Sequence, residues 1–68
     1  MNTYMLKGKI HESGLTQTKV AELIGVSESR FSQKINGTDG ATFTVEEAKA
    51  MKQLLHLTAE EIDSIFFV

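Results

Sequence analysis

The sequence predicts an all-α fold, a compact five-helix bundle forming one domain over residues 1–68, on three observations. Proline is absent from the 68 residues, and apolar residues recur at helical spacing. Four Ser or Thr residues each follow an apolar residue and precede another by four positions. Leu15-Thr16 leads to Val20, Val26-Ser27 to Phe31, Phe43-Thr44 to Ala48 and Leu57-Thr58 to Ile62. Each is a hydroxyl N-cap, which satisfies an orphan backbone N–H, inside a hydrophobic staple that fixes the chain's angle of entry.

The elements follow in order. Asn2 or Thr3 opens a first helix at about 4–13, with Leu6 and Ile10 four apart on one face, and Ser13-Gly14 closes it. Gly8 inside it costs roughly 1 kcal/mol relative to alanine, which leads us to expect close packing there against another element. A second helix at about 17–24 buries Val20, Ala21 and Ile24 and stops at Gly25, a site for a left-handed cap. Only Gly25-Val26-Ser27 separates it from a third helix at about 28–36, and so short a link forces a sharp angle. Asn36-Gly37 ends the third helix, and residues 38–43 form a polar loop, expected to be the most mobile segment. A fourth helix at about 45–55 offers Ala48, Met51, Leu54 and Leu55 to the core, and a fifth covers about 59–66. Glu47 and Glu61, three residues after Thr44 and Thr58, complete capping boxes.

Size and composition bound the function. A chain of this length buries roughly 60% of its unfolded surface, so its core is small. There is no cysteine, which removes disulfides and thiolate metal sites, and 41% hydrophobic against 24% charged residues is a globular composition. No apolar run approaches the roughly 18 residues of a membrane span and no secretory signal pattern opens the chain, so the expected location is cytoplasmic. The net charge of −2 opposes bulk electrostatic binding to nucleic acid. Its placement is uneven: residues 1–38 carry +2 and residues 39–68 carry −4.

The third helix has an unusual outer face. With Phe31 at 0° and about 100° per residue, Ile35 falls about 40° away, and these two define the buried stripe. Ser29, Gln33 and Asn36 fall near the opposite side, flanked by Arg30 and Ser32, with Glu28 and Lys34 near the edges. An ordinary solvated face carries more Glu and Lys. Ser, Arg, Gln and Asn instead offer short or planar donors and acceptors of the kind that pair with base edges. Glu28 has two readings: it suits a helix N-terminus electrostatically, and it can accept a hydrogen bond from cytosine N4.

Residues 14–37 resemble the helix-turn-helix of the Cro and CI class of phage repressors, also called the XRE type. The matching positions are Leu15-Thr16-Gln17, Val20-Ala21, Leu23, Gly25-Val26-Ser27, Phe31-Ser32 and Asn36-Gly37. The resemblance implies a bundle of the lambda-repressor-like DNA-binding type, with the helix-turn-helix at helices two and three. Chain length and residues 57–67 are also similar to short Cro-like proteins of phages from Gram-positive bacteria. By that resemblance Gln17 bonds phosphate and braces Glu28. Ser27, Glu28, Ser29, Ser32 and Gln33 enter the major groove, and Asn36 and Thr38 touch phosphate. Charge and wheel position add Arg30 and Lys34, the latter as a phosphate contact. The family's usual proline after the third helix is missing, and Glu28 stands where glutamine is the familiar reader. No counterpart of the oligomerisation domain of the CI repressors is expected, as in a stand-alone Cro-type reader.

Other constellations are weaker. The pairs Glu46/Glu47 and Glu60/Glu61 follow threonine caps, where negative charge is favoured structurally. His11 and His56 have no partner ligands nearby in sequence, and no catalytic triad or phosphate loop is present. No enzyme activity, cofactor or metal is expected. The apolar end, Ile65-Phe66-Phe67-Val68, either folds onto the core or forms a self-association patch. The expected function is sequence-specific binding of double-stranded operator DNA in a phage lysis/lysogeny switch, as a homodimer on DNA. The alternative is an antirepressor that binds a partner repressor, supported by the negative charge and Glu28.

Overall fold

The computed structural model describes residues 1–67 and, among them, five α-helices, one 3-10 turn and no strand. Helix α1 spans Thr3–Glu12, α2 Gln17–Ile24, α3 Glu28–Asn36, α4 Val45–Leu54 and α5 Ala59–Phe66, with the 3-10 turn at Thr38–Gly40. Side chains of Asn2, Thr16, Ser27, Thr44 and Thr58 accept hydrogen bonds from the backbone N–H of Met5, Lys19, Arg30, Glu47 and Glu61. Both capping boxes are complete, at Thr44/Glu47 and Thr58/Glu61. Since Asn2 is the cap, α1 begins one residue earlier than expected.

Left-handed residues follow the ends of α1, α2, α3 and α4, at Gly14, Gly25, Gly37 and His56. Gly25 has φ 80°, the Val26 N–H reaches the Ala21 carbonyl at 2.9 Å and the Gly25 N–H reaches that of Glu22 at 3.2 Å. This paired closure turns the chain sharply toward α3. Helix α4 closes similarly without glycine: His56 takes φ 54° and the Leu57 N–H bonds the Lys52 carbonyl at 2.9 Å. A left-handed residue bearing a β-carbon costs about 1 kcal/mol, and the turn offsets that by directing Leu57 into the core, where it is buried.

The core gathers Leu6 and Ile10 from α1, Val20 and Ala21 from α2, Phe31 and Ile35 from α3, Met51 and Leu55 from the α4 end, then Leu57 and Ile65. Ile24, Leu54 and Phe66 pack partly buried around it, and Ala48 is half-buried. Helices α1 and α4 both rest on α2 and α5, and α3 rests on α2. The start of the chain ties two ends together. The Asn2 N–H donates to the Ile65 carbonyl at 2.7 Å, and the Thr3 hydroxyl donates to the Ile35 carbonyl at 2.8 Å. The apolar end divides: Ile65 is fully buried, Phe66 meets Phe43 edge-on at 6.2 Å, and Phe67 is exposed. Val68 lies outside the described residues. Among the described residues no helix is long and apolar enough to cross a membrane.

Gly8 corrects an expectation. A β-carbon built there meets nothing within 4 Å, so no close approach explains the residue. Gly8→Ala is therefore expected to stabilise the fold by about 0.5–1 kcal/mol, through the lower entropy of the unfolded chain. Thermal melts followed by helical circular dichroism should show a rise of about 2–8 °C. A fall would mean that the position has a packing role.

Candidate nucleic-acid interface

Helix α3 contacts the bundle along one side and leaves the other bare. Phe31, Lys34 and Ile35 are buried, while Ser29, Arg30, Ser32, Gln33 and Asn36 are exposed. The expected polar face is thus present as an uncovered surface. Ser27 and Glu28, at the start of the helix, are exposed too, as is Thr38 just beyond its end. Gln17 opens α2 half-buried.

Side chains on this face are organised by their neighbours. The Ser27 hydroxyl oxygen accepts the Arg30 N–H at 3.2 Å, leaving its own proton free to donate. Arg30 Nη1 donates to Gln33 Oε1 at 3.3 Å, and the Asn36 amide reaches Ser32 Oγ at 3.5 Å. The Glu28 carboxylate accepts from the Thr18 hydroxyl at 3.0 Å. In the fold the α2 side chain bonded to Glu28 is thus that of Thr18, the residue after Gln17.

Lys34 is corrected as well. It was expected near the edge of the exposed face, as a phosphate contact. Instead it is 7% exposed, and its ammonium lies 2.7 Å from both carboxylate oxygens of Glu47 on α4. Position 34 is three residues after Phe31 and one before Ile35, a core-facing position at helical spacing. The long aliphatic stem packs inward and its charge is neutralised where it lies. Lys34 is therefore not available as a surface cation.

Glu47 serves two groups. Besides Lys34, its Oε1 accepts the Thr44 N–H at 2.9 Å. Burial pushes this carboxyl upward, but the Lys34 ammonium and the Thr44 donors outweigh it and hold it below the ordinary carboxylate range. On the other side of the bundle, Lys9 of α1 pairs with Glu61 of α5. The hydrogen bond from Lys9, then that from the Thr58 backbone, lowers the Glu61 carboxyl, and the same bond to Glu61 raises Lys9.

Two residues at this surface were missed by sequence reasoning. Thr18 is one. Lys7 is the other: α1 brings its ammonium to 3.4 Å from Asn36 Oδ1, at the C-terminal end of α3. No local pattern reveals either, because both contacts depend on how helices cross. With Lys34 withdrawn, Arg30 on α3 and Lys7, brought beside Asn36 by α1, are the cations placed at this face, and Lys19 of α2 lies 3.7 Å from Glu22 of its own helix. The positive charge is sparse.

Among the described residues, the surface also holds an apolar groove of about 350 Å³ beside the end of α3. Met1, Phe43, Val45, Phe66 and Phe67 are among the residues that line it, together with Asn36. No group of three or more His, Asp or Glu side chains among the described residues is placed to hold a metal ion.

A family model described as "Protein of unknown function (DUF739)" matches residues 2–68. No curated protein and no solved structure matches the chain.

Proposed function

This chain belongs to the DUF739 family, and we propose that it is a sequence-specific DNA-binding transcriptional regulator, a Cro-like repressor in a phage lysis/lysogeny switch. In this reading α2 and α3 form a helix-turn-helix within a lambda-repressor-like bundle, and α3 enters the major groove. The observation that carries it is the bare face Ser29/Arg30/Ser32/Gln33/Asn36 on a helix fixed at both ends. A helix with its side chains is about 10–12 Å across and the major groove about 12 Å wide, so α3 fits end-on or along it. Ser27, with an unused hydroxyl proton at the helix start, is suited to a phosphate oxygen.

Binding by two copies to symmetric half-sites about one helical turn apart is the arrangement this docking implies. Repression then follows from occupancy: a protein on its operator blocks polymerase or a rival repressor. The location implied is the cytoplasm of a bacterial host cell.

Two substitutions separate reading from holding. Gln33→Ala should relax base preference at one position of the half-site, by about fivefold or more. Lys7→Ala should weaken all sequences alike by a few-fold and reduce the salt slope by about one unit. Selection from a random-sequence DNA pool, followed by titration of the winners, measures both. Equal and sequence-independent effects of the two changes would remove the reading-face claim.

The second reading is an antirepressor that covers a partner repressor. Exposed Met1, Val45 and Phe67 around the apolar groove favour it, together with the withdrawal of Lys34 from the surface. Co-elution with a repressor, without any DNA shift by this chain alone, would decide for it.

A further inference from the structure

Glu28 and Gln33 stand on the same exposed helix, and each has one polar atom already committed. Glu28 Oε1 accepts from the Thr18 hydroxyl, and Gln33 Oε1 accepts from Arg30. Ser27 supplies the hydrogen bond that caps α3, so Glu28 is not needed as the cap. An ionised carboxylate has only acceptors, and its second oxygen remains open. Gln33 is the opposite case. Arginine can only donate, so Gln33 must turn its oxygen toward Arg30, which leaves its amino group facing outward as a donor.

We propose that Glu28, positioned by Thr18, reads the exocyclic amino group of a cytosine in the operator half-site. Gln33 and Arg30 present donors to acceptor edges such as guanine O6 and N7. This rests on the DNA-binding reading above and adds the polarity of what α3 recognises. Cytosine N4 is a donor in the major groove, and a carboxylate is its natural acceptor. Thymine at the same position offers an O4 acceptor, which the Glu28 oxygen repels. A carboxylate near the phosphate backbone lowers affinity on every sequence. The gain appears only where an amino group faces it, so a residue unfavourable for general DNA binding becomes a discriminator. Thr18 acts as a positioning residue: its hydroxyl holds one oxygen so that the other is aimed.

The test uses the full chain and half-sites from a random-pool selection, with each of the four bases placed at every position. Wild type should prefer cytosine at one position by about tenfold over thymine. Glu28→Gln should move the preference at that same position toward adenine, which a glutamine amide pairs bidentately. Thr18→Val should reduce the cytosine preference a few-fold with unchanged thermal stability, and Thr18→Ser should restore it. If Glu28→Ala tightens binding equally on all sequences, Glu28 only repels phosphate; the proposal then fails while DNA binding stands. If wild type shows no base preference on any DNA, both this proposal and the reading beneath it fall.

Discussion

Phe31→Ala is expected to leave much of the chain unfolded at room temperature. Phe31 is 1% exposed, and its ring lies 5.3 Å from that of Phe43, which in turn meets Phe66. The three rings join α3 to the loop before α4 and to the end of α5, so the cavity left by truncation has walls on three elements. Removing a buried phenylalanine costs about 3–5 kcal/mol. A domain of this length has roughly 3–10 kcal/mol in total, at 0.05–0.15 per residue. Circular dichroism should show a melting temperature lower by about 15 °C or more, or a loss of helix at 25 °C. A drop below about 5 °C would show that the ring is not central to the core. Because Phe31 faces away from the proposed reading surface, any loss of DNA binding should follow the loss of helix.

Breaking the Lys34–Glu47 pair is expected to have the next largest effect. Glu47→Ala leaves an ammonium that is 7% exposed without its partner and removes half of the α4 capping box. Leaving one member of a buried pair uncompensated costs about 3 kcal/mol. The double variant Lys34→Met/Glu47→Gln should recover most of that loss, because methionine fills the space of the lysine stem and glutamine can still close the capping box. Urea titrations of the single and double variants read the coupling directly. Additive losses, with the double variant worst, would mean that the two charges act independently.

The same pair contributes to acid sensitivity. Burial raises the Glu47 carboxyl, but the Lys34 ammonium and the Thr44 donors outweigh it and hold the group below its ordinary value of 4.5 in the fold. Its contribution to stability is therefore present above the unfolded value and lost as pH falls through the folded one. Glu61 is lowered too, so it has the same sign. Stability should hold flat near neutrality and decline below about pH 4.5. Glu47→Gln should make that decline shallower.

The helices were legible in the sequence because their starts are local. A hydroxyl three residues from the N–H it caps, and apolar residues that staple it, are written within one turn of chain. Thr16, Ser27, Thr44 and Thr58 could be read for that reason. Gly25 was legible for the same reason, as a left-handed closure. His56 and Asp39, both at φ 54°, were not, because neither is a glycine and nothing in its residue type marks it for that region. Lys34 shows a different limit. Its wheel position put it at the edge of the polar face and its charge argued for the surface, whereas the decisive partner lies thirteen residues away on α4. Thr18 and Lys7 reached the candidate surface only through helix crossing. The polar face of α3 was readable from its own periodicity, whereas what holds each of its side chains was not.

If the bare face of α3 reads DNA, the chain must distinguish its own operator from other sequences. Fluorescence anisotropy of the purified chain against a promoter fragment from its own locus and a scrambled control, across a salt series, tests it most directly. Binding should be tighter to the promoter fragment, with affinity falling as salt rises by about 0.9 log units per log unit of salt for each phosphate contacted. Binding no tighter than to the scrambled control, at low salt as well as high, would contradict it.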